Sequence, residues 1–190
     1  WLAYTDLLSS TLLILSVVVV ASVLARLTNE KPPVIRLSDA KDYRFARGSF
    51  EVNKTFRSKL ISEELPKIDR AIQCYAIDTI EIIGHTDNSP NTGLSNIDKF
   101  PKTEELANGF KSVYAGSNAD LGLLRAFSVQ TLLQEEIGKQ YPDLDFKSYS
   151  ASSLINPGDS SDLNTNTDQE KRRIEIRLTR SSNQSVINKC

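Results

Sequence analysis

Two short stretches of this 190-residue chain carry residue types and spacings that could do chemistry. Asp6 stands at the head of Leu7 to Ala25, a run of nineteen residues without a charged side chain. A carboxylate inside such a helix costs about 2.5–3.5 kcal/mol on insertion scales, so it is usually retained to bind an ion or to pair within a bundle. The plainer alternative is a helix cap lying among lipid headgroups. The second stretch is Gly84-His85-Thr86-Asp87, which closes a β-rich run with an imidazole, a hydroxyl and a carboxylate. His85 is the only histidine and reads as a strand-end structural or hydrogen-bonding residue. The sequence offers it no second histidine for a triad, no Cys/His spacing suited to zinc and no phosphate-cradling loop. A hydrolase would need a nucleophile–base pair or paired carboxylates, and no such constellation stands out.

The elements that must position these residues follow from patterning. At ~1.5 Å per residue the apolar run approaches the ~30 Å hydrocarbon thickness, which predicts one membrane-spanning helix over residues 1–26. A cleaved signal peptide is disfavoured by the lack of a basic leader segment. The sequence opens on Trp1 rather than Met, so a preceding cytoplasmic segment is expected. At ~100° per residue Thr5, Ser9 and Ser16 lie beside Asp6, while Leu12, Leu13, Ile14 and Val17 to Val20 fill much of the remainder. Residues 27–42, polar and bearing Pro32-Pro33, read as a linker. From Arg26 to Arg70 eleven Lys and Arg face seven Asp and Glu, and from Ala71 to Cys190 twelve face sixteen. Neither part is basic enough for nucleic acid to be a partner.

Residues 43–190 are long enough for one domain with its own core. Tyr43-Arg44-Phe45 and Phe50-Glu51-Val52 flank Gly48-Ser49, suggesting an extended segment with a turn. Phe56, Leu60, Leu65, Ile68 and Ile72 keep helical spacing, with Pro66 as a kink. Leu121 to Ile137 predicts a second amphipathic helix through Leu124, Phe127, Leu132 and Leu133. Thr79 to Ile83, Leu144 to Tyr149 and Ile174 to Leu178 read as strands. Strands alternating with helices imply an α/β fold of two layers.

Trp1-Leu2-Ala3-Tyr4-Thr5-Asp6-Leu7-Leu8 resembles the start of the transmembrane helix of MotB-type stator subunits, in which the Asp binds the transported proton or sodium ion. Leu-Leu-Ser-Ser after Leu2-Ala3-Tyr4-Thr5-Asp6 departs from the flagellar version and the chain has no Met, which weakens a flagellar role but not ion binding. From about Ile35 to Arg180 the chain resembles OmpA-like peptidoglycan-binding domains. Three segments carry this: Ile82-Ile83-Gly84-His85-Thr86-Asp87, Asn118 to Ala126, and Arg172-Arg173-Ile174-Glu175-Ile176. The resemblance implies a two-layer α/β sandwich in which Asp87 and Arg125 bind the free end of diaminopimelate in the wall peptide. That end pairs an ammonium with a carboxylate, which an Asp and a forked guanidinium complement. The alternative is an Asp87–Arg125 salt bridge that only ties strand to helix. Asn118 and Leu121 match the second motif and are expected to line the groove, although ordinary helix packing would also account for Leu121.

Lys171 and Asp168 depart from the family's third motif, so Arg172 and Arg173 are not assigned as ligands and read equally as an exposed pair starting a strand. Residues 88–117 form a long insertion rich in Gly, Pro, Ser and Asn, with Thr103-Glu104-Glu105-Leu106 able to nucleate a short helix. Enlarged domains of this kind occur in ZorB subunits of the Zorya anti-phage motor, a looser likeness. Together the resemblances imply a single-pass inner-membrane protein that dimerises within a ring of MotA-like subunits, five around two. Its C-terminal domain would hold peptidoglycan in the periplasm, with no cofactor beyond the H+ or Na+ that passes. A motor outside the flagellum is the preferred reading and a static envelope anchor the alternative. Cys74 and Cys190, the only cysteines, would then sit in an oxidising compartment. A disulfide between Cys74 and Cys190 is the expectation, with a bridge between two copies or two separate thiols as the alternatives.

Overall fold

A computed structural model of the chain describes residues 1–27, 32–39, 42–99, 113–155 and 168–180. Helix α1, Leu2–Leu27, contains the apolar span Tyr4–Val23, long enough to cross a membrane and without any buried residue. Asp6 lies inside this helix with Leu2 already helical, so it is not an N-cap. Ser9 and Ser16 donate their hydroxyls to the carbonyls of Asp6 (3.0 Å) and Leu13 (2.7 Å). Such back-bonding satisfies the hydroxyls on an otherwise apolar helix.

The remaining elements are β1 (Val34–Ser38), α2 (Lys54–Lys59), α3 (Leu65–Tyr75), β2 (Thr79–His85), α4 (Asn118–Ile137), β3 (Asp145–Ser152), α5 (Asp168–Lys171) and β4 (Arg173–Thr179). The strands form one mixed sheet in the order β1-β4-β2-β3. β4 is antiparallel to both β1 and β2, whereas β2 and β3 are parallel, as the α4 crossover between them requires. Helices on one face of this sheet make the two-layer α/β arrangement expected from the sequence.

The core lies between that face and the helices. Ile80 and Ile82 of β2, Ile174, Ile176 and Leu178 of β4, and Ile35 and Leu37 of β1 meet Phe56, Leu60, Ile68 and Ile72 from the α2–α3 side. Leu124, Val129, Leu132, Leu133 and Ile137 of α4 are also buried, while Phe127 is only half-buried. Between α2 and α3 the helix widens into a π turn, Leu60–Glu64, which ends two residues before Pro66. Proline has no N–H to donate and its ring crowds the carbonyl four residues back, so the wider turn absorbs the kink expected there.

One boundary differs from the sequence reading. The segment 27–42, expected as a linker, contains β1, whose register runs from Val34 opposite Arg177 to Ser38 opposite Arg173. Five residues with only Ile35 and Leu37 turned inward give too brief an alternation to stand out behind Pro32-Pro33. Conversely, Tyr43 to Val52 pairs with no strand. Its aromatic residues anchor it instead: the Phe56 ring lies 5.3 Å from Tyr43 and 5.1 Å from Phe45, centroid to centroid. The segment around Thr103 and the position of Cys190 fall outside the described residues. Cys74, off the main apolar stripe of α3, is nevertheless only 5% exposed.

Candidate functional site

β2 ends at His85 and delivers Thr86 and Asp87 to the rim of the sheet. Thr86 N–H donates to the Ser152 carbonyl (2.9 Å), which keeps the chain beside β3 for one residue more. α4 starts at the same rim, with Ser117 as N-cap accepting from Asp120 N–H at 3.1 Å. The helix approaches β2 through Gly84 and Gly122. A Cβ on Gly84 would come within 1.9 Å of the Gly122 carbonyl oxygen, and one on Gly122 within 2.9 Å of the Gly84 oxygen. Only two glycines admit so close a contact, and it brings Asn118, Leu121 and Arg125 over the end of β2.

These residues line one cleft of about 580 Å³ with Asp87, Phe45, Arg47, Asp39 and Arg172. All four residues expected at a wall-binding site, Asp87, Arg125, Asn118 and Leu121, thus share a single cavity. Asn118 Nδ2 donates to the carbonyls of Asp87 (3.3 Å) and Ser89 (3.0 Å), fixing the loop that carries the acid. Leu121 supplies a buried apolar wall. The near ends of the 88–117 segment are pinned as well. Asn91 Nδ2 reaches the Ser117 carbonyl (3.1 Å), and Tyr114 N–H donates to Asn96 Oδ1 (2.7 Å).

The expected alternative of an Asp87–Arg125 salt bridge is not what forms. Arg125 is 4% exposed, donates from Nε to the Ser49 carbonyl (3.0 Å) and lies over the Phe45 ring at 5.0 Å. Burial pushes its pKa down to about 10, against the pull of Asp87, and it stays charged at neutral pH. Asp87 instead accepts Arg172 Nη1 at Oδ2 (2.6 Å) and Ser89 N–H at Oδ1 (2.9 Å). Burial raises the Asp87 carboxyl, but the hydrogen bonds from Arg172 and Ser89 and the charge of Arg172 outweigh it and leave its pKa below the ordinary value.

Arg172 and Arg173 are therefore not an exposed pair. Arg172 Nε also donates to Asp39 Oδ2 (2.8 Å), and Arg44 Nε donates to Asp39 Oδ1 (2.9 Å), giving a chain Arg44–Asp39–Arg172–Asp87 around the cleft. Antiparallel pairing sets His85 opposite Arg173, so Arg172 arrives beside the residues that follow β2. The motif containing Arg172 was visible in sequence, but this register was not. Asp39 carried no signal, since it follows a strand that only the sheet defines.

Next to the cleft Arg173, buried, donates to Glu175 Oε1 (3.0 Å), and Arg177 donates to Oε2 (3.0 Å). Burial raises the Glu175 carboxyl, but those two hydrogen bonds hold it below its usual value. His85, 1% exposed, lies 3.7 Å from Glu175 Oε1. Burial, with the charge of Arg173 beside it, pushes its pKa down to about 4, so the imidazole is neutral at physiological pH. It closes β2, the strand-end position expected for it. Among the described residues no group of His, Cys, Asp and Glu is arranged to hold a metal ion.

No family model and no curated protein matches the chain. Among solved structures, it is similar to the periplasmic domain of Helicobacter pylori MotB, at 19% identity over 80% of this chain and 86% of that one, with a TM-score of 0.48. It is similar also to the cell wall anchor of the T6SS from Pseudomonas aeruginosa (21% identity, 76% and 79% covered, TM-score 0.45). A third is the peptidoglycan-associated lipoprotein from Burkholderia pseudomallei (17% identity, 76% and 89% covered, TM-score 0.42).

Proposed function

We propose that this chain is a membrane-anchored, peptidoglycan-binding subunit of an ion-driven motor. The observation that carries the wall-binding part is the convergence of Asp87, Arg125, Asn118 and Leu121 from two separate motifs on one cleft. The Arg125 fork is buried, and among the described residues only its Nε is bonded. A carboxylate of a diaminopimelate-containing stem peptide complements that fork, and its neighbouring ammonium complements the lone pairs of Asp87 that Arg172 and Ser89 leave open. The motor part rests on Asp6, the one carboxylate inside an apolar span, and on the Trp1 to Leu8 motif around it.

In this reading a periplasmic proton or sodium ion neutralises Asp6 and leaves to the cytoplasm. A surrounding ring of MotA-like subunits steps past a dimer of this chain, which the cell wall holds still. A motor of the Zorya anti-phage type fits the departures from the flagellar motif better than a flagellar one. Co-sedimentation of the full chain, in mild detergent, with purified sacculi tests the wall site. Asp87→Ala and Arg125→Ala should each lower the bound fraction, since each leaves one end of a zwitterion unpaired, a loss of about 1–3 kcal/mol. Unchanged sedimentation in both variants refutes the assignment.

A further inference from the structure

The cleft is unevenly satisfied. Both of its carboxylates are already engaged by arginines: Asp39 by Arg44 and Arg172, and Asp87 by Arg172. Two of its guanidiniums are engaged by no acid among the described residues. Arg125 has only a backbone carbonyl and an aromatic ring as bonded partners, and Arg47, exposed on the rim, makes no ion pair among the described residues. Among the described residues the lining holds four guanidiniums against two carboxylates, an excess of two positive charges. Asp87 keeps lone pairs for a single ammonium, and beyond that pair the cleft offers free donors to an anion in a concave, partly desolvated site. Field lines concentrate in such a cleft, and forked guanidiniums favour planar carboxylates.

We infer that the cleft selects a ligand of net negative charge, with one carboxylate on Arg125 and a second anionic group on Arg47, which acts as a specificity-determining residue. This rests on the wall-peptide reading and sharpens it. The preferred peptide carries free carboxylates beyond the terminal ammonium–carboxylate pair, and amidation of those carboxylates lowers affinity. Arg47 suits the second position because it precedes Gly48, whose φ of +67° turns the chain there, and because Ser49, just beyond, holds Arg125 through its carbonyl. One loop thus presents Arg47 and steadies the Arg125 of α4.

The test is calorimetric titration of the full chain in detergent with two synthetic stem peptides. Both keep the terminal ammonium–carboxylate pair; one has its other carboxylates free and the other has them amidated. Wild type should bind the free-carboxylate peptide about fivefold more tightly, the upper range of an exposed ion pair, with the difference shrinking as salt rises. Arg47→Ala should bind both peptides at the amidated level, and Arg47→Lys should recover part of the preference. Equal affinity of wild type for the two peptides, or a preference that survives in Arg47→Ala, overturns the inference while leaving the wall-binding reading standing. Failure of wild type to bind either peptide overturns both.

Discussion

As pH falls below 6.5, the first loss of stability in this protein should come through His85. The imidazole is 1% exposed, and burial beside Arg173 lowers its pKa from 6.5 to about 4. Because the folded value is depressed, the unfolded chain takes up the proton first. The stability contributed by the neutral ring is complete above pH 6.5, declines as pH falls below it, and is gone below pH 4. That separation corresponds to about 3 kcal/mol, a large share of the ~5–15 kcal/mol that holds a typical domain. The contributions of Asp87 and Glu175, whose folded pKa values are lowered from 3.8 and 4.5, begin to fall only as pH drops toward those ordinary values, so the upper part of the His85 window is free of them. Urea unfolding of the full chain, followed by circular dichroism between pH 7.5 and 4, reads the slope directly. His85→Asn removes the titrating group, and its stability should be nearly flat from pH 7.5 down to about 5, above the carboxylate range, even if its absolute value is lower. As the only histidine, His85 also gives one imidazole signal in an NMR titration. A midpoint near 6.5 in the folded protein, or an unchanged pH slope in His85→Asn, would refute the argument.

Gly84→Ala should destabilise by about 1–3 kcal/mol or more and weaken sacculus binding, because its Cβ would drive α4 and Arg125 away from the sheet. Gly93→Ala, whose nearest contact would be an ordinary 3.7 Å, is the neutral control in the same denaturation series. Asp6→Asn should leave the complex assembled while abolishing ion-driven activity, since the amide keeps the shape but cannot carry the proton. Ion flux in liposomes checks this, and wild-type flux in the variant would leave a static anchor as the better reading. Cys74 and Cys190 are proposed to form an intramolecular disulfide worth about 4–5 kcal/mol in the entropic account. Non-reducing peptide mapping should recover the linked pair, and free thiols or a covalent dimer would each contradict it.

The apolar run after Asp6 and the helical spacing of Phe56, Leu60, Ile68 and Ile72 were legible in sequence because each pattern is local. Periodicity along a few turns determines which face is apolar, whatever the rest of the chain does. The same holds for the inner strands, where Ile80 and Ile82, or Ile174 and Ile176, alternate strongly enough to declare a buried face. Motif residues placed Asp87 and Arg125 in one site, and the cleft contains both. What the sequence left undecided depends on pairing between distant segments. β1 is a strand because β4 supplies its ladder, and its own five residues say little. The partner of Asp87 is Arg172 rather than Arg125 because antiparallel register brings the start of β4 to the end of β2, while Ser49 and Phe45 hold the Arg125 side chain aside. Residue types announced a site for charge, but only the sheet register and the Gly84–Gly122 contact determined which charges neutralise one another and which remain open to a ligand.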